Sequence, residues 1–148
     1  MMMTEGNPPV TESEIRRFES VTHRVFPESY RDFLKAHNGG CPDTNSYATS
    51  NRETEGEIRL FLGITETEYK GLSQYFLAYR ERMPPEYFPI AYDSGGNLLC
   101  LRETDGHVFY WNHDWEAEDG ESPTYENLHL IAPDFKTFLQ MLRPIEIF

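Results

Sequence analysis

Residues 87–111, YFPIAYDSGGNLLCLRETDGHVFYW, decide the architecture. Three runs rich in aromatic and aliphatic side chains, Tyr87–Tyr92, Asn97–Arg102 and His107–Trp111, are separated by Asp93-Ser94-Gly95-Gly96 and by Thr104-Asp105-Gly106. Apolar β-rich runs bounded by Gly, Asp and Ser read as strands joined by tight turns. Connections this short suit antiparallel neighbours, because a parallel pair needs a crossover of a dozen or more residues. The segment is therefore expected to form an antiparallel meander.

The flanks add helices. Thr11-Glu12-Ser13-Glu14 fits a capping box, with Val10 and Ile15 at the spacing of a hydrophobic staple. Ile15, Phe18 and Val21 or Thr22 share one face, so a helix is predicted to about His23. A second helix is expected from Pro27, whose missing N–H is not needed at a first helical position. Tyr30, Phe33, Leu34 and His37 form its buried stripe, and Asn38-Gly39-Gly40 ends it. Residues 41–57 are polar and turn-rich, after which Ile58–Ile64 (IRLFLGI) reads as a central strand. Leu72, Tyr75, Phe76 and Tyr79 have helical spacing that Met83-Pro84-Pro85 stops. Beyond the meander, an acidic loop over about 112–127 leads to a short strand at Leu128–Ile131. Asp134 then caps a last helix carrying Phe135, Phe138, Leu139 and Leu142 on one face. Consecutive strands with helices at either end predict an α+β fold, a largely antiparallel sheet packed against helices. Residues 1–9, with Pro8 and Pro9, are expected to be a loose tail, and 10–148 a single domain.

Composition narrows the function. A chain of 148 residues with 10 Phe and 9 Tyr has the apolar payload for one real core. Thirteen basic residues against 25 acidic ones give a formal charge of −12. That excess argues against nucleic acid, whose phosphates need clustered Lys and Arg, and against an anionic membrane surface. It suits a partner protein with a basic surface. No run of 18 apolar residues exists to span a membrane, and no charged-then-apolar leader precedes the first helix signal. Cys41 and Cys100 match no metal or redox spacing. The expectation is a cytoplasmic protein with reduced thiols.

The search for chemistry returns little. No sequence context marks a base beside a Ser or Cys nucleophile. Asp93-Ser94-Gly95-Gly96-Asn97 has the glycines of a phosphate loop but neither its lysine nor a following helix, so a hairpin turn is expected. His107, His113 and Asp114, with His129, are the best metal constellation available, yet their spacing matches no standard zinc site. Asp114, Glu116, Glu118, Asp119 and Glu121 lack the order of a calcium loop. The carboxylates sit in polar runs, without the apolar neighbours that raise a pKa for acid–base work. No catalytic residue, cofactor or metal is expected.

Trp111 is expected to end a core strand. Trp115 differs, because it sits among Asn112, His113, Asp114 and Glu116. An aromatic ring inside an acidic loop has the make-up of an interface anchor with a charged rim. The candidate partner-binding residues are therefore Asp114, Trp115, Glu116, Glu118, Asp119 and Glu121, together with Glu53, Glu55 and Glu57 from the crowded acidic stretch before the central strand.

Several stretches in order resemble the SUKH superfamily, which includes fungal cell-wall-synthesis regulators and many bacterial immunity proteins. Phe26-Pro27-Glu28-Ser29-Tyr30-Arg31-Asp32-Phe33-Leu34 running on to Asn38-Gly39-Gly40 is similar to its helix element, with Phe26 in place of the usual leucine. Phe88-Pro89-Ile90-Ala91, then 93–101, then Val108–Asp114 are similar to its central hairpin and following strand. Ile131-Ala132-Pro133-Asp134-Phe135-Lys136-Thr137-Phe138-Leu139 resembles its closing helix. The likeness spans roughly residues 12–142, leaving 41–86 and the acidic loop unmatched. It implies an α+β domain without enzymatic activity. It also implies an immunity protein that neutralises a cognate polymorphic toxin, a nuclease being one candidate, by direct binding. The alternative is a scaffold or regulator of a host protein. The motif residues read as structural, so the resemblance supplies no site residues.

Overall fold

The computed structural model describes residues 1–67 and 69–144, so residues 145–148 of the expected domain lie outside the described residues. The capping box forms as its spacing predicts. Glu14 N–H donates to Thr11 Oγ1 at 3.1 Å, and Thr11 N–H donates to Glu14 Oε1 at 3.1 Å. Helix α1 covers Glu12–Thr22 and closes at His23, which adopts a left-handed φ of 57°. The two staple residues, Val10 and Ile15, are both buried. Helix α2 covers Glu28–Ala36; Pro27 is its cap and stands one position outside the first turn expected for it.

The meander is present as β5 (Tyr87–Asp93), β6 (Leu98–Arg102) and β7 (Val108–Trp111). Pro89 sits inside β5, where it has no N–H for the ladder. The register accordingly slips between Pro89 and Ala91, a bulge that accommodates a proline in an inner strand. The central strand, β4, runs Glu55–Phe61, so it begins and ends three residues earlier than expected. Downstream, β8 covers Leu128–Ala132 and α4 covers Phe135–Met141, with Asp134 Oδ1 accepting from Thr137 N–H at 2.7 Å as its cap. Helix α3 covers Leu72–Tyr79.

Three strands go beyond the sequence reading. Met3–Thr4 (β1) pairs with Cys41–Pro42 (β2), and Ser46–Ala48 (β3) pairs with β4. The stretch 41–57 is thus partly strand. Its polar residues had masked short edge strands, whose single buried face leaves too few apolar positions to read.

The main sheet has the order β3-β4-β5-β6-β7-β8 and is antiparallel throughout. It curls until its two edges meet. Ser50 N–H donates to Leu130 O at 2.7 Å, and Ser46 exchanges backbone hydrogen bonds with Arg143 at 2.8 and 3.1 Å. One face of the sheet packs against α1, α2 and α4 through a dense set of rings. Phe135 lies 5.2 Å from Tyr30, 5.0 Å from Phe33 and 5.8 Å from Phe138, centroid to centroid. The other face carries a smaller cluster of Met83, Tyr87, Leu98, Cys100, Phe109 and Trp111. Tyr75 and Tyr79 of α3 cover it, Tyr79 meeting Trp111 edge-on at 5.5 Å. No helix among the described residues is long and apolar enough to cross a membrane.

Candidate functional site

Strand direction brings the segments that carry the expected site residues out of the sheet at one end. Ala48 pairs with Glu55, Ile58 with Asp93, Leu98 with Trp111, and Trp111 with Leu128. The β3–β4 hairpin tip, the β5–β6 turn and the loop between β7 and β8 therefore leave the sheet at the same end. Hydrogen bonds stitch them together. Ser94 N–H donates to Glu57 O at 3.3 Å, and His113 N–H donates to Asn97 Oδ1 at 3.0 Å.

The β5–β6 turn is organised from within. Asp93 Oδ1 accepts from the Gly95 and Asn97 N–H groups, both at 2.8 Å, while Tyr47 Oη and Asn97 Nδ2 reach Oδ2 at 3.4 Å. A buried carboxylate thus occupies the backbone donors that a phosphate would need. The turn is a hairpin connection, as expected.

Glu53, Glu55 and Glu57 are exposed on the hairpin. The two β4 glutamates alternate with Gly56 and Ile58, so they face outward while Ile58 enters the core. A Cβ on Gly56 would meet the Tyr47 hydroxyl, so any larger residue here must displace that ring.

The 112–127 loop is pinned at four places, one of them the His113 bond to Asn97 described above. At its base, Asn112 N–H donates to Asn127 O at 2.9 Å, and Asn127 Nδ2 donates to Asn112 O at 3.0 Å. A short 3-10 turn, His113–Trp115, follows, with Asp114 N–H donating to Asn112 Oδ1 at 3.0 Å. Next, Glu116 accepts two bonds from Arg82, Nε to Oε2 at 3.0 Å and Nη2 to Oε1 at 2.7 Å. The Arg82 guanidinium also stacks over Tyr79 at 4.3 Å and lies 5.7 Å from the Trp111 ring centroid. The Glu116 carboxylate raises the Arg82 pKa above its ordinary value, against the opposing effect of burial. On the return side Tyr125 Oη donates to Glu86 Oε1. Between the pins, Glu121 N–H closes a turn on Glu118 O at 3.0 Å, with Gly120 at a φ of 84°.

The candidate residues separate by role. Asp114, Glu118, Asp119 and Glu121 are exposed, and Trp115 is 72% exposed. Glu116 is committed to Arg82. A groove of about 630 Å³ runs between residues 80–85 and 116–123, with Arg82, Met83 and Glu118 among its lining. Arg82, Glu86 and Tyr125 were not legible as site residues, because each meets its partner across more than 30 positions of sequence.

The other chemistries do not assemble. His107 and His113 flank β7 at opposite ends, about 20 Å apart at the rise of an extended strand. His107 Nδ1 faces Asp105 at 3.4 Å and His113 Nε2 faces Asp114 at 3.2 Å. Among the described residues no three His, Cys, Asp or Glu side chains converge as metal ligands. Cys41 Sγ lies 2.9 Å from Glu5 Oε2 and 3.3 Å from Arg59 Nη1. Burial and the Glu5 carboxylate raise its pKa, the reverse of what activates a thiol. Burial raises that of Cys100 as well.

The model of the SMI1 / KNR4 family (SUKH-1) matches residues 9–141. The chain is also similar to the SPbeta prophage-derived uncharacterized protein YokK of Bacillus subtilis (strain 168). The two are 26% identical over 156 aligned residues, covering 92% of this chain and 77% of that protein.

Proposed function

Because the chain belongs to the SMI1 / KNR4 family (SUKH-1), we propose that it is a non-enzymatic, cytoplasmic immunity protein that neutralises a cognate toxin by direct binding. The acidic end of its sheet makes the contact. The observation that carries this reading is that two acidic segments, separate in sequence, leave the sheet at the same end, one of them with an exposed tryptophan. Glu53, Glu55 and Glu57 sit on one hairpin; Asp114, Glu118, Asp119 and Glu121 sit on a loop that leaves from the same end and runs past residues 80–86. A prophage-derived relative fits an immunity role.

The physics of such a contact is direct. A toxin that cuts nucleic acid must present Lys and Arg to phosphates. Carboxylates compete for those cations and, at a net charge of −12, accelerate the encounter. Trp115 supplies buried area once the interface closes, with the carboxylates as its wet rim.

The test is co-expression with the toxin domain encoded by the neighbouring gene. Growth rescued by the wild-type chain, and lost when Glu118, Asp119 and Glu121 are changed to lysine, supports the reading. Rescue that survives those changes moves the contact elsewhere on the surface. A neighbourhood without a toxin gene would favour the regulator reading, in which the same end binds a host protein.

A further inference from the structure

We propose that Arg82 is the positioning residue of the acidic loop, holding it as a preformed surface instead of a solvated, mobile segment. The role in recognition rests on the reading above; the hold on the loop does not.

Nothing intrinsic to residues 113–122 would keep them in one shape. The stretch HDWEAEDGES carries five carboxylates in ten positions, which repel one another and favour extended, hydrated conformations. Its residues 113–115 form a single 3-10 turn, too short to be stable alone. Its first residue, His113, bonds to Asn97 Oδ1, and the group that holds Glu116, in its middle, also comes from outside the stretch. Arg82 follows α3, and its side chain is locked by the Tyr79 ring at 4.3 Å and the Trp111 ring at 5.7 Å before it meets the loop. Tyr79 is itself stacked on Tyr75, which stacks on Tyr92 of β5, each pair at 5.8 Å. The guanidinium is thus anchored to the sheet through a continuous row of rings, and its planar fork takes both oxygens of Glu116. A bidentate fork fixes direction as well as distance, which a lysine at this position would not do.

Glu116 is the residue next to Trp115 and two before Glu118. Fixing its carboxylate therefore fixes where the exposed ring and the acidic tip stand. A loop ordered before binding has less conformational freedom to lose when a partner docks, and this is how preorganisation raises affinity.

Backbone ¹⁵N relaxation of the free chain tests the proposal. In the wild type, order parameters over 114–121 should match the sheet, at about 0.85, and in Arg82→Gln they should fall below about 0.6. Glu116→Gln, a nearly isosteric change that leaves the ring stack untouched, should give the same loss. The double variant should lose no more than either single one, the mark of a shared contact. Arg82→Lys should fall between. β7 and β8 should stay ordered in all of them, which separates a positioning role from general loosening. A loop equally ordered in wild type, Arg82→Gln and Glu116→Gln overturns the proposal, as does disorder that spreads through the sheet. No partner is needed, so this result and the fate of the toxin-binding reading are independent.

Discussion

Asn38 grips Ile64 by both edges of its carboxamide: Oδ1 accepts from the Ile64 N–H at 2.7 Å, and Nδ2 donates to the Ile64 carbonyl at 2.9 Å. The same Nδ2 donates to Pro8 O at 2.9 Å, and the Asn38 carbonyl accepts from the backbone and side chain of Asn7. Three segments meet on one buried residue: the lead-in to α1, the end of α2 and the chain leaving β4. A Cβ on Gly63 would come within 2.6 Å of Asn38 O, so the approach also demands that glycine. The Asn-Gly-Gly element is a tertiary tether as well as a helix stop.

Asn38→Ala should therefore cost on the order of 3 kcal/mol, because it strands buried partners of both polarities. Urea denaturation measures it. Asn38→Asp keeps the acceptor and loses the two donated bonds. A loss below about 1 kcal/mol for the alanine variant would show that water takes over the tether.

Acid should loosen the joint between α1 and α2. Glu12 reaches Lys35 at 3.0 Å, Arg31 at 3.0 Å and Arg16 at 3.3 Å. Hydrogen bonds from Lys35 first, then Arg31, hold its carboxyl at about 2, against 4.5 without these partners. The unfolded chain takes up this proton near pH 4.5 and the folded chain only near 2. The contribution is thus complete above pH 4.5 and fades as pH falls toward 2. Calorimetry should show Tm falling through that window, and Glu12→Gln should flatten the fall. An identical slope in the variant would remove Glu12 from the acid response.

Trp115 separates folding from binding. The residue is largely exposed, so Trp115→Ala should leave stability within about 0.5 kcal/mol of the wild type. Affinity for the partner should fall by about 2 kcal/mol or more, roughly 30-fold. A variant that unfolds more easily yet binds as well as the parent would reverse both assignments.

The parts of the fold legible in sequence are those governed by local rules. The Thr11–Glu14 box, the Asp134 cap and the 87–111 meander depend on residues at most a few positions apart, and each forms. Trp111 ends a core strand and is fully buried, as its run predicts. What escaped depends on distant partners. Strand β3 is three residues with one buried side chain, Tyr47, and exists because β4 pairs with it. The β1–β2 pair joins residues nearly forty positions apart. In the candidate site, the carboxylate runs were legible, but the departure of hairpin and loop from one end of the sheet follows from strand order. The commitment of Glu116 to Arg82 follows from the same cause. No local spacing announces an arginine more than thirty positions away.

The most direct measurement is the association rate with the cognate toxin domain as a function of ionic strength. For the triple variant Glu118→Lys, Asp119→Lys, Glu121→Lys the rate at low salt should drop at least about tenfold, and its salt dependence should flatten. An association rate equal to that of the wild type at low salt would contradict capture through the acidic end of the sheet.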